Sequence, residues 1–423
     1  MQYLNYYDFL EEELVVAYGC TEPIAIAYAS AVAVKTLGEE PEKLIANLSS
    51  NMIKNANSVK VPSTDGRKGI PISVVAGAFL GDADRKLEVL EDIDKTRLSE
   101  MDDKIKNGVL DINLVRDVAI LYIEIIAKSG KDQARVVIED GHTNITLIEK
   151  NKELLFQKKR EETDTRTVDL SIEAIYEFAN NCDLEKLKPI LDRQINYNID
   201  IAKEGLINDY GSNIGKLVNK NANTIYSEKL VANASAASDA RMSGSEKPVV
   251  INSGSGNQGI TVSVPVIVFA RDNNISDEKL YRALVFSNLI ALYMKQGIGK
   301  LSAYCGVVSA AGAAACGIAY LKDDSKKVIA ETLVNTLATN SGLICDGAKA
   351  SCASKIASSL RNAFLSYDQA KTENTFESGD GIVKDEIEKT LDVVSHIAKY
   401  GMKKTDEVIL SEMIENRDYL KEF

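Results

Sequence analysis

Three cysteines, Cys305, Cys345 and Cys352, lie in segments dominated by alanine, glycine and serine. A fourth, Cys20, lies in the segment GCTEP. The chain has six cysteines but only two histidines and no tryptophan, so any metal or nucleophile chemistry must depend mainly on sulfur. Thiolates are soft ligands that suit zinc and iron–sulfur clusters.

The spacing of the three cysteines narrows the kind of site they could form. Cys345 lies 40 residues after Cys305 and 7 before Cys352. On one continuous helix, a 7-residue separation would place the last two thiols roughly 10 Å apart. A shared compact cluster therefore requires a break in the chain, for which Gly347 is suitable. The absence of a CxxC pair argues against a zinc ribbon.

Three thiolates without a fourth suit an iron–sulfur cluster with one iron open to a ligand. Buried cysteines in alanine-rich helices are also compatible with simple packing, because free cysteine behaves as a small apolar residue. From spacing alone both interpretations stay open for Cys305, Cys345 and Cys352. Cys182 and Cys316 are assigned to structure.

The segment around Cys20 predicts a turn that leads into a helix. Gly19 and Pro23 favour the turn, and Thr21 is expected to cap the helix PIAIAYASAVAVKTL. Cys20 would then lie near a helix N-terminus, where unpaired N–H groups lower the pKa of a thiol.

Composition limits the function classes and the compartment. A formal charge of −12 argues against general binding to nucleic acid or an anionic membrane. The acidic N-terminus is not expected to be a secretory signal, and the uncharged run 303–321 is predicted to be a buried helix. A reducing cytoplasm is the expected location, where clustered cysteines favour metal binding or catalysis.

The pattern along the chain predicts an α+β protein that is mostly α. Short β-rich runs at 117–156, separated by turn signals, predict a small antiparallel sheet, preceded by a charged helical stretch near 84–116. The predicted organisation is a helical catalytic domain of residues 1–82 and 168–423, with an inserted α+β domain at 83–167.

The segment GSGNQG, residues 254–259, fits a glycine-rich binding loop after a strand-like PVVIN. The following run ITVSVPVIVFA is β-branched and contains Pro265, which disfavours the helix that a dinucleotide site requires. Ser255, Gly256, Asn257 and Gln258 suit a small carboxylate equally well.

Polar residues elsewhere complete the set of substrate-binding candidates. Lys54 could pair with a substrate carboxylate, with Asn51 and Asn55 beside it, although a solvated helix face fits the same pattern. His142 and Asn144 fall in a predicted hairpin turn.

Four motifs together resemble one family over nearly the whole chain. GCTEPIAIAYASA, SGSGNQGITVSVPV, CGVVSAAGAAACGIAYL and ICDGAKASCASKI occur in the order found in L-cysteine desulfidases, which are related to the catalytic domain of iron–sulfur L-serine dehydratases. The resemblance implies that Cys305, Cys345 and Cys352 ligate a 4Fe–4S cluster and that Cys20 accepts the proton. It also implies that Thr21, Glu22 and the GSGNQG loop line the substrate pocket, and it suggests the same for His142 and Asn144.

The implied activity is a PLP-independent elimination of sulfide from L-cysteine, which yields aminoacrylate and then pyruvate and ammonia. An open iron would bind the leaving sulfur, and a base would remove the α-proton. The alternatives are an L-serine dehydratase with the same cluster, a cluster-bearing redox sensor without turnover, and a dinucleotide-dependent oxidoreductase. Helix faces of small residues could also pack between subunits of a homo-oligomer.

Overall fold

Helices hold most of the described residues, which are 5–158, 170–299 and 301–414 of this computed structural model. The helices are α1 (Tyr6–Glu13), α2 (Thr21–Leu37), α3 (Ser50–Ala56), α4 (Gly69–Leu80), α5 (Leu98–Lys106), α6 (Ile172–Asn181), α7 (Leu184–Ile207), α8 (Ile214–Asn219), α9 (Tyr226–Met242), α10 (Gly256–Asp272), α11 (Asp277–Ile298), α12 (Val307–Leu321), α13 (Lys326–Asn340), α14 (Cys352–Lys371), α15 (Ile387–His396) and α16 (Lys403–Ile414). The predicted fold class, α+β and mostly α, is confirmed.

Two sheets accompany the helices. Their strands are β1 (Val16–Tyr18), β2 (Lys43–Ser49), β3 (Leu110–Val115), β4 (Tyr122–Ser129), β5 (Asp132–Glu139), β6 (Ile145–Lys150), β7 (Glu153–Gln157) and β8 (Pro248–Val250). The larger sheet has the order β3-β2-β4-β5-β6-β7, and β1 pairs with β8 in the smaller one. Strands β4 to β7 form the antiparallel run that the sequence predicts.

The larger sheet differs from the predicted small antiparallel sheet in two ways. It is mixed, because β2 and β3 pair in parallel. It also extends outside the predicted insertion at 83–167, because β2 comes from residues 43–49. The predicted helical stretch near 84–116 contains α5 but ends in β3. The reason is tertiary: β2 offers an edge with which β3 can pair. The domain boundaries themselves remain a prediction.

Helix α2 connects the sheet with the helical part of the protein. It packs against β4 and β5 as well as against α4. Its residues are buried without interruption from Thr21 to Ala31. A helix that is apolar around its circumference must be covered on all sides. This position fixes the first turn of α2, and with it the GCTEP segment, inside the protein.

Helix α12 is the centre of the helical part. Every residue from Val307 to Leu321 is buried, and the helix packs against α10, α11, α13 and α14. This confirms the predicted buried helix within 303–321. Its small-residue faces are therefore used inside the chain. Among the helices of the described residues, none has both the length and the apolar character needed to cross a membrane.

The close approach of α7 to α9 generates a stability prediction. A Cβ added at Gly205 would lie 1.9 Å from the carbonyl oxygen of Ala236. Gly205→Ala should therefore lower the free energy of unfolding by about 1–3 kcal/mol, as overpacking does. Urea unfolding measures the change.

The control for this prediction is Gly342→Ala. Gly342 is exposed, and a Cβ there would meet no atom within 4 Å. Its unfolding free energy should stay within about 0.5 kcal/mol of the wild type. Equal stability of both variants would contradict the close packing of α7 on α9.

Candidate active site

A short antiparallel contact places Cys305 beside Cys345. The N–H of Cys305 donates to the carbonyl of Leu343 at 3.0 Å, and the N–H of Cys345 donates to the carbonyl of Ala303 at 2.7 Å. These bonds flank a bridge between the residues that precede each cysteine. Backbone pairing thus brings together two thiols that are 40 residues apart in sequence.

The two thiols share a side-chain hydrogen bond. It raises the pKa of Cys305 well above its usual value, together with burial. The same bond lowers the pKa of Cys345 to about 6, assisted by the charges of Lys54 and Lys355. One thiol of the pair is therefore poised to be a thiolate, the form that binds metals.

Cys352 joins this pair across the predicted break in the chain. Gly347 has a φ of 91°, a left-handed conformation that glycine adopts without strain. A Cβ there would also lie 2.7 Å from the carbonyl oxygen of Lys54. Cys352 is the first residue of α14, and its sulfur lies 3.5 Å from the backbone nitrogen of Lys349. The charge of Cys352 raises the pKa of Cys305, so the three sulfurs lie within electrostatic range of one another.

The donor atoms of the three cysteines determine which metal group they could hold. Across residues 5–158, 170–299 and 301–414, no group of three or more histidine, cysteine, aspartate or glutamate side chains is spaced to hold a single metal ion. An all-thiolate donor set is instead the set that iron–sulfur clusters use. The type of these residues thus fits a cluster.

Lysines surround the three cysteines, although the chain as a whole is acidic. Lys54 donates to the carbonyl of Cys345 at 3.3 Å, and Lys349 donates to the carbonyl of Lys54 at 3.3 Å. Burial lowers the pKa of Lys295 to about 8, against the opposing effect of Cys345 and Cys305. Cations this close to buried sulfur favour the thiolate form and offset the charge of an anionic cluster.

Lys54 has a partner that the sequence did not suggest. Its side chain is 2% exposed, and its ammonium group forms an ion pair with Asp406 of α16. If Lys54 bound the substrate carboxylate, as predicted, that carboxylate would have to compete with the carboxylate of Asp406. Asn55, next to it on α3, donates to the Oε1 atom of Glu22 at 3.0 Å.

Cys20 lies at the N-terminus of α2, as predicted, but its environment differs from the prediction. Cys20 itself is the N-cap residue, and Thr21 is already helical. Cys20 is 2% exposed and packs with Cys352, Val59 and Met242. Burial and the charge of Glu22 raise the pKa of the Cys20 thiol well above its usual value, so the predicted lowering is wrong. Desolvation outweighs the helix N-terminus here.

The carboxylate of Glu22 accepts several hydrogen bonds at the N-terminus of α2. It accepts from the thiol of Cys20 at 3.1 Å and from the hydroxyl of Thr21 at 3.0 Å. Burial alone would raise its pKa, but the charge of His142 and the bond from Cys20 outweigh this and lower it. Glu22 is thus held as a buried carboxylate.

The sheet contributes His142 to the same place. His142 lies in the turn between β5 and β6, is buried, and is close enough to influence the charge of Glu22. Asn144, in the same turn, donates to the carbonyl of Glu139 at 2.8 Å and accepts from Lys158 at 2.8 Å. These bonds give Asn144 a part in closing the hairpin, whereas His142 reaches the N-terminus of α2.

The GSGNQG loop lies between Cys20 and Cys305. The hydroxyl of Thr21 donates to the carbonyl of Gly254 at 3.1 Å. At the other end, Gln258 lies so close to Gly306 that a Cβ there would be 2.5 Å from the Gln258 amide carbon. Ser255 caps α10 by accepting from the N–H of Gln258 at 3.4 Å. The loop therefore joins the Cys20 region to the cysteine pair.

The run after this loop is helical, as α10, so the expectation from its β-branched residues and Pro265 is wrong. Burial on all sides overrides the weak helix preference of its β-branched residues. A dinucleotide fold still does not follow, because β8 pairs only with β1, in antiparallel orientation, in the described sheets. Gly256 also has no free space above it, since a Cβ there would lie 2.4 Å from Arg241.

Several buried polar side-chain atoms have no hydrogen-bond partner among the described residues. They are the Oδ1 atoms of Asn51 and Asn55, the Oε1 atom of Gln258 and the Nε atom of Arg241. Buried polar groups in folded proteins are normally paired, so an unpaired group calls for an explanation such as a ligand or ordered water. Of these residues, Asn55, Gln258 and Arg241 lie next to Glu22, Gly306 and Gly19 respectively, which suits a polar substrate.

Three residues of this site were missed at the level of sequence: Arg241, Lys295 and Asp406. Arg241 is 3% exposed and lies in α9 within the run ASAASDARMSG. The available signal was the presence of two charged residues, Asp239 and Arg241, in a run of small residues, because helices of small residues are usually buried. Lys295 and Asp406 carry no comparable signal, since their partners come from distant parts of the chain.

Comparison with known proteins adds an independent finding. Residues 84–411 match the family described as serine dehydratase alpha chain. Similar proteins include a UPF0597 protein of Lachnoclostridium phytofermentans, 48% identical over 97% of this chain and 100% of that protein. Another, from Treponema denticola, is 44% identical over 97% of this chain and 98% of its own length. A third, from Bacteroides fragilis, is 38% identical over 96% of both.

The residues that match this family, 84–411, include Arg241, the GSGNQG loop and all three clustered cysteines. The matches to the similar proteins span 96–97% of this chain. The resemblance seen in the four motifs therefore extends to the whole chain, and the protein belongs to the serine dehydratase alpha chain family.

Proposed function

We propose that this protein is an iron–sulfur-dependent L-cysteine desulfidase, a carbon–sulfur lyase that yields sulfide, pyruvate and ammonia. One observation carries the proposal: Cys20 and Cys352 share one buried group, within electrostatic range of the paired Cys305 and Cys345. A candidate base and three candidate cluster ligands thus meet at one place. Membership of the serine dehydratase family supports elimination from a β-substituted amino acid.

Cys305, Cys345 and Cys352 would hold a 4Fe–4S cluster, whose open iron would act as a Lewis acid toward the leaving group. The surrounding lysines would stabilise the ligands as thiolates. Cys305 and Cys352 are also buried and Cys345 is partly buried, so the access of water to the three sulfurs is limited. Exclusion of water strengthens every electrostatic interaction at the site.

Cys20 would remove the α-proton of the substrate. The electron pair of the Cα–H bond would form the Cα–Cβ double bond while the sulfur leaves from Cβ. The product aminoacrylate would then hydrolyse to pyruvate and ammonia. Cys20 must be a thiolate for this step, so its proton must leave before the Cα–H bond is attacked, and the nearby charge of Arg241, which lowers the pKa of the thiol, favours that form.

The surroundings of Cys20 favour cysteine over serine as substrate. Val59 and Met242 form an apolar wall beside Cys20 and Cys352. Such a wall suits a polarisable sulfur, and a Met side chain contacts sulfur or apolar groups readily. Hydroxide is a poorer leaving group than sulfide and would need a proton donor. Serine dehydration is the second candidate, since the family takes its description from that reaction.

The decisive experiment compares the two substrates directly. Anaerobically purified protein is incubated with L-cysteine or L-serine, and sulfide and pyruvate are both quantified. We expect equimolar sulfide and pyruvate from cysteine, and a kcat/KM for serine about 100-fold lower, the discrimination that a pocket achieves between substrates that differ in one small group. Pyruvate from serine with little sulfide from cysteine would instead establish a serine dehydratase.

The cluster ligands generate a separate prediction. Replacement of Cys305, Cys345 or Cys352 by serine should abolish the visible iron–sulfur absorbance and most of the bound iron, because a hard hydroxyl replaces a soft thiolate. Cys182→Ser is the matched control, since Cys182 is also buried but donates to the carbonyl of Ala179 instead of lying beside another of these cysteines. Iron content that is equal in all four variants would contradict the assignment.

Cys20 should be needed for turnover but not for the cluster. We expect Cys20→Ala to lower kcat by about 10²–10⁴-fold, the range for loss of a general base, with iron content and absorbance unchanged. Exchange of the substrate α-proton in deuterated water, followed by NMR, should fall in parallel. A Cys20→Ala enzyme that loses its iron would show that Cys20 is a ligand instead.

A further inference from the structure

The guanidinium of Arg241 is a buried cation without a carboxylate partner among the described residues. Arg241 is 3% exposed. It donates to the carbonyl of Gly19 at 2.8 Å and to the Oδ1 atom of Asn257 at 3.3 Å. Its Nε atom is buried and has no hydrogen-bond partner in the part of the chain that the structure describes. A buried charge that lacks a full set of partners is costly, so such a group is retained where something else compensates it.

The position of Arg241 links two segments of the candidate site. Gly19 precedes Cys20, and Asn257 belongs to the GSGNQG loop. The charge of Arg241 also acts on both Cys20 and Glu22. An anion bound by this guanidinium would therefore lie next to the thiol that is the candidate base.

Gly256 makes room for the guanidinium. A Cβ at Gly256 would lie 2.4 Å from Nε of Arg241 and 2.6 Å from its Cζ. Any side chain at this position would push the charged group away. The absence of a side chain at Gly256 thus allows the planar guanidinium of Arg241 to pack against the loop.

Lys54, the other deeply buried cation suggested for this role, differs in one decisive respect. Its ammonium group is already paired with Asp406. Arg241 has no such partner among the described residues, and a guanidinium binds a carboxylate through two parallel hydrogen bonds, which a lysine cannot do.

We infer that Arg241 binds the α-carboxylate of the amino-acid substrate and so positions Cα beside Cys20. The inference rests on the proposed function and deepens it, since it names the group that recognises an α-amino acid. A cation at this carboxylate would also stabilise the negative charge that develops when the α-proton leaves. No bond to Arg241 is made or broken in the reaction.

The test uses ligands that separate the carboxylate from the rest of the substrate. 3-Mercaptopropionate has the thiol and the carboxylate, whereas cysteamine has the thiol and the ammonium group. Binding of each to anaerobic holoenzyme is measured by calorimetry. In Arg241→Lys we expect 3-mercaptopropionate to bind about 10- to 100-fold more weakly, as after loss of charged hydrogen bonds, and cysteamine to bind within about twofold of the wild type.

Two further variants test whether the effect is specific to the position of the Arg241 guanidinium. Arg271→Lys changes an exposed arginine on α10 and should leave both affinities unchanged. Gly256→Ala keeps Arg241 but displaces its guanidinium, so it should weaken 3-mercaptopropionate selectively as well. Equal weakening of both ligands in Arg241→Lys would overturn the inference in favour of a purely structural arginine.

The wild-type enzyme gives a test that does not depend on the folding of any variant. L-Cysteine methyl ester lacks the negative charge, so its KM should exceed that of L-cysteine by at least about tenfold. Similar KM values would overturn the inference while sulfide release leaves the proposed function intact. Conversely, a wild type that releases no sulfide but binds 3-mercaptopropionate through Arg241 would overturn the proposed function and keep the carboxylate site.

Discussion

The buried carboxylate of Glu22 is the interaction on which the site depends. It accepts hydrogen bonds from Cys20, Thr21 and Asn55, and its negative charge is sustained by His142. Charge inside a protein persists only where hydrogen bonds and opposite charges replace water. The chain therefore has to bring α2, α3 and the β5–β6 turn to one point, which explains why residues so distant in sequence meet there.

This constraint also explains why the sheet and the helices share one site. His142 comes from the sheet, whereas the clustered cysteines come from the helical part. Helix α2 carries Cys20 and Glu22 at its N-terminus and packs against both parts. A shift of the sheet relative to α2 would move the charge of His142 away from Glu22, so the position of the sheet influences the charge at the candidate base.

Much of this arrangement could be predicted from local pattern, and the rest depends on tertiary contacts. The alternating runs predicted β4 to β7, and glycine and proline predicted the turn before α2, because these signals lie within a few residues. Strand β2 and helix α10 were missed, since partners elsewhere in the chain decide their structure. The position of Cys20 followed from sequence, but the direction of its pKa shift did not, because burial is a property of the fold.

Lys54 and Arg241 differ in whether they form an ion pair with a carboxylate of the described residues, a difference that no sequence motif shows. Both are buried cations near the cysteines, and both fit a carboxylate in isolation. Lys54 is neutralised by Asp406 from the last described helix, so binding of a substrate carboxylate there would have to displace that partner. Arg241 needs no displacement, because its hydrogen bonds go to a carbonyl and an amide, and no carboxylate among the described residues forms an ion pair with it. A small anion therefore gains more at Arg241, whereas Lys54 serves best as a fixed cation that supports Cys345.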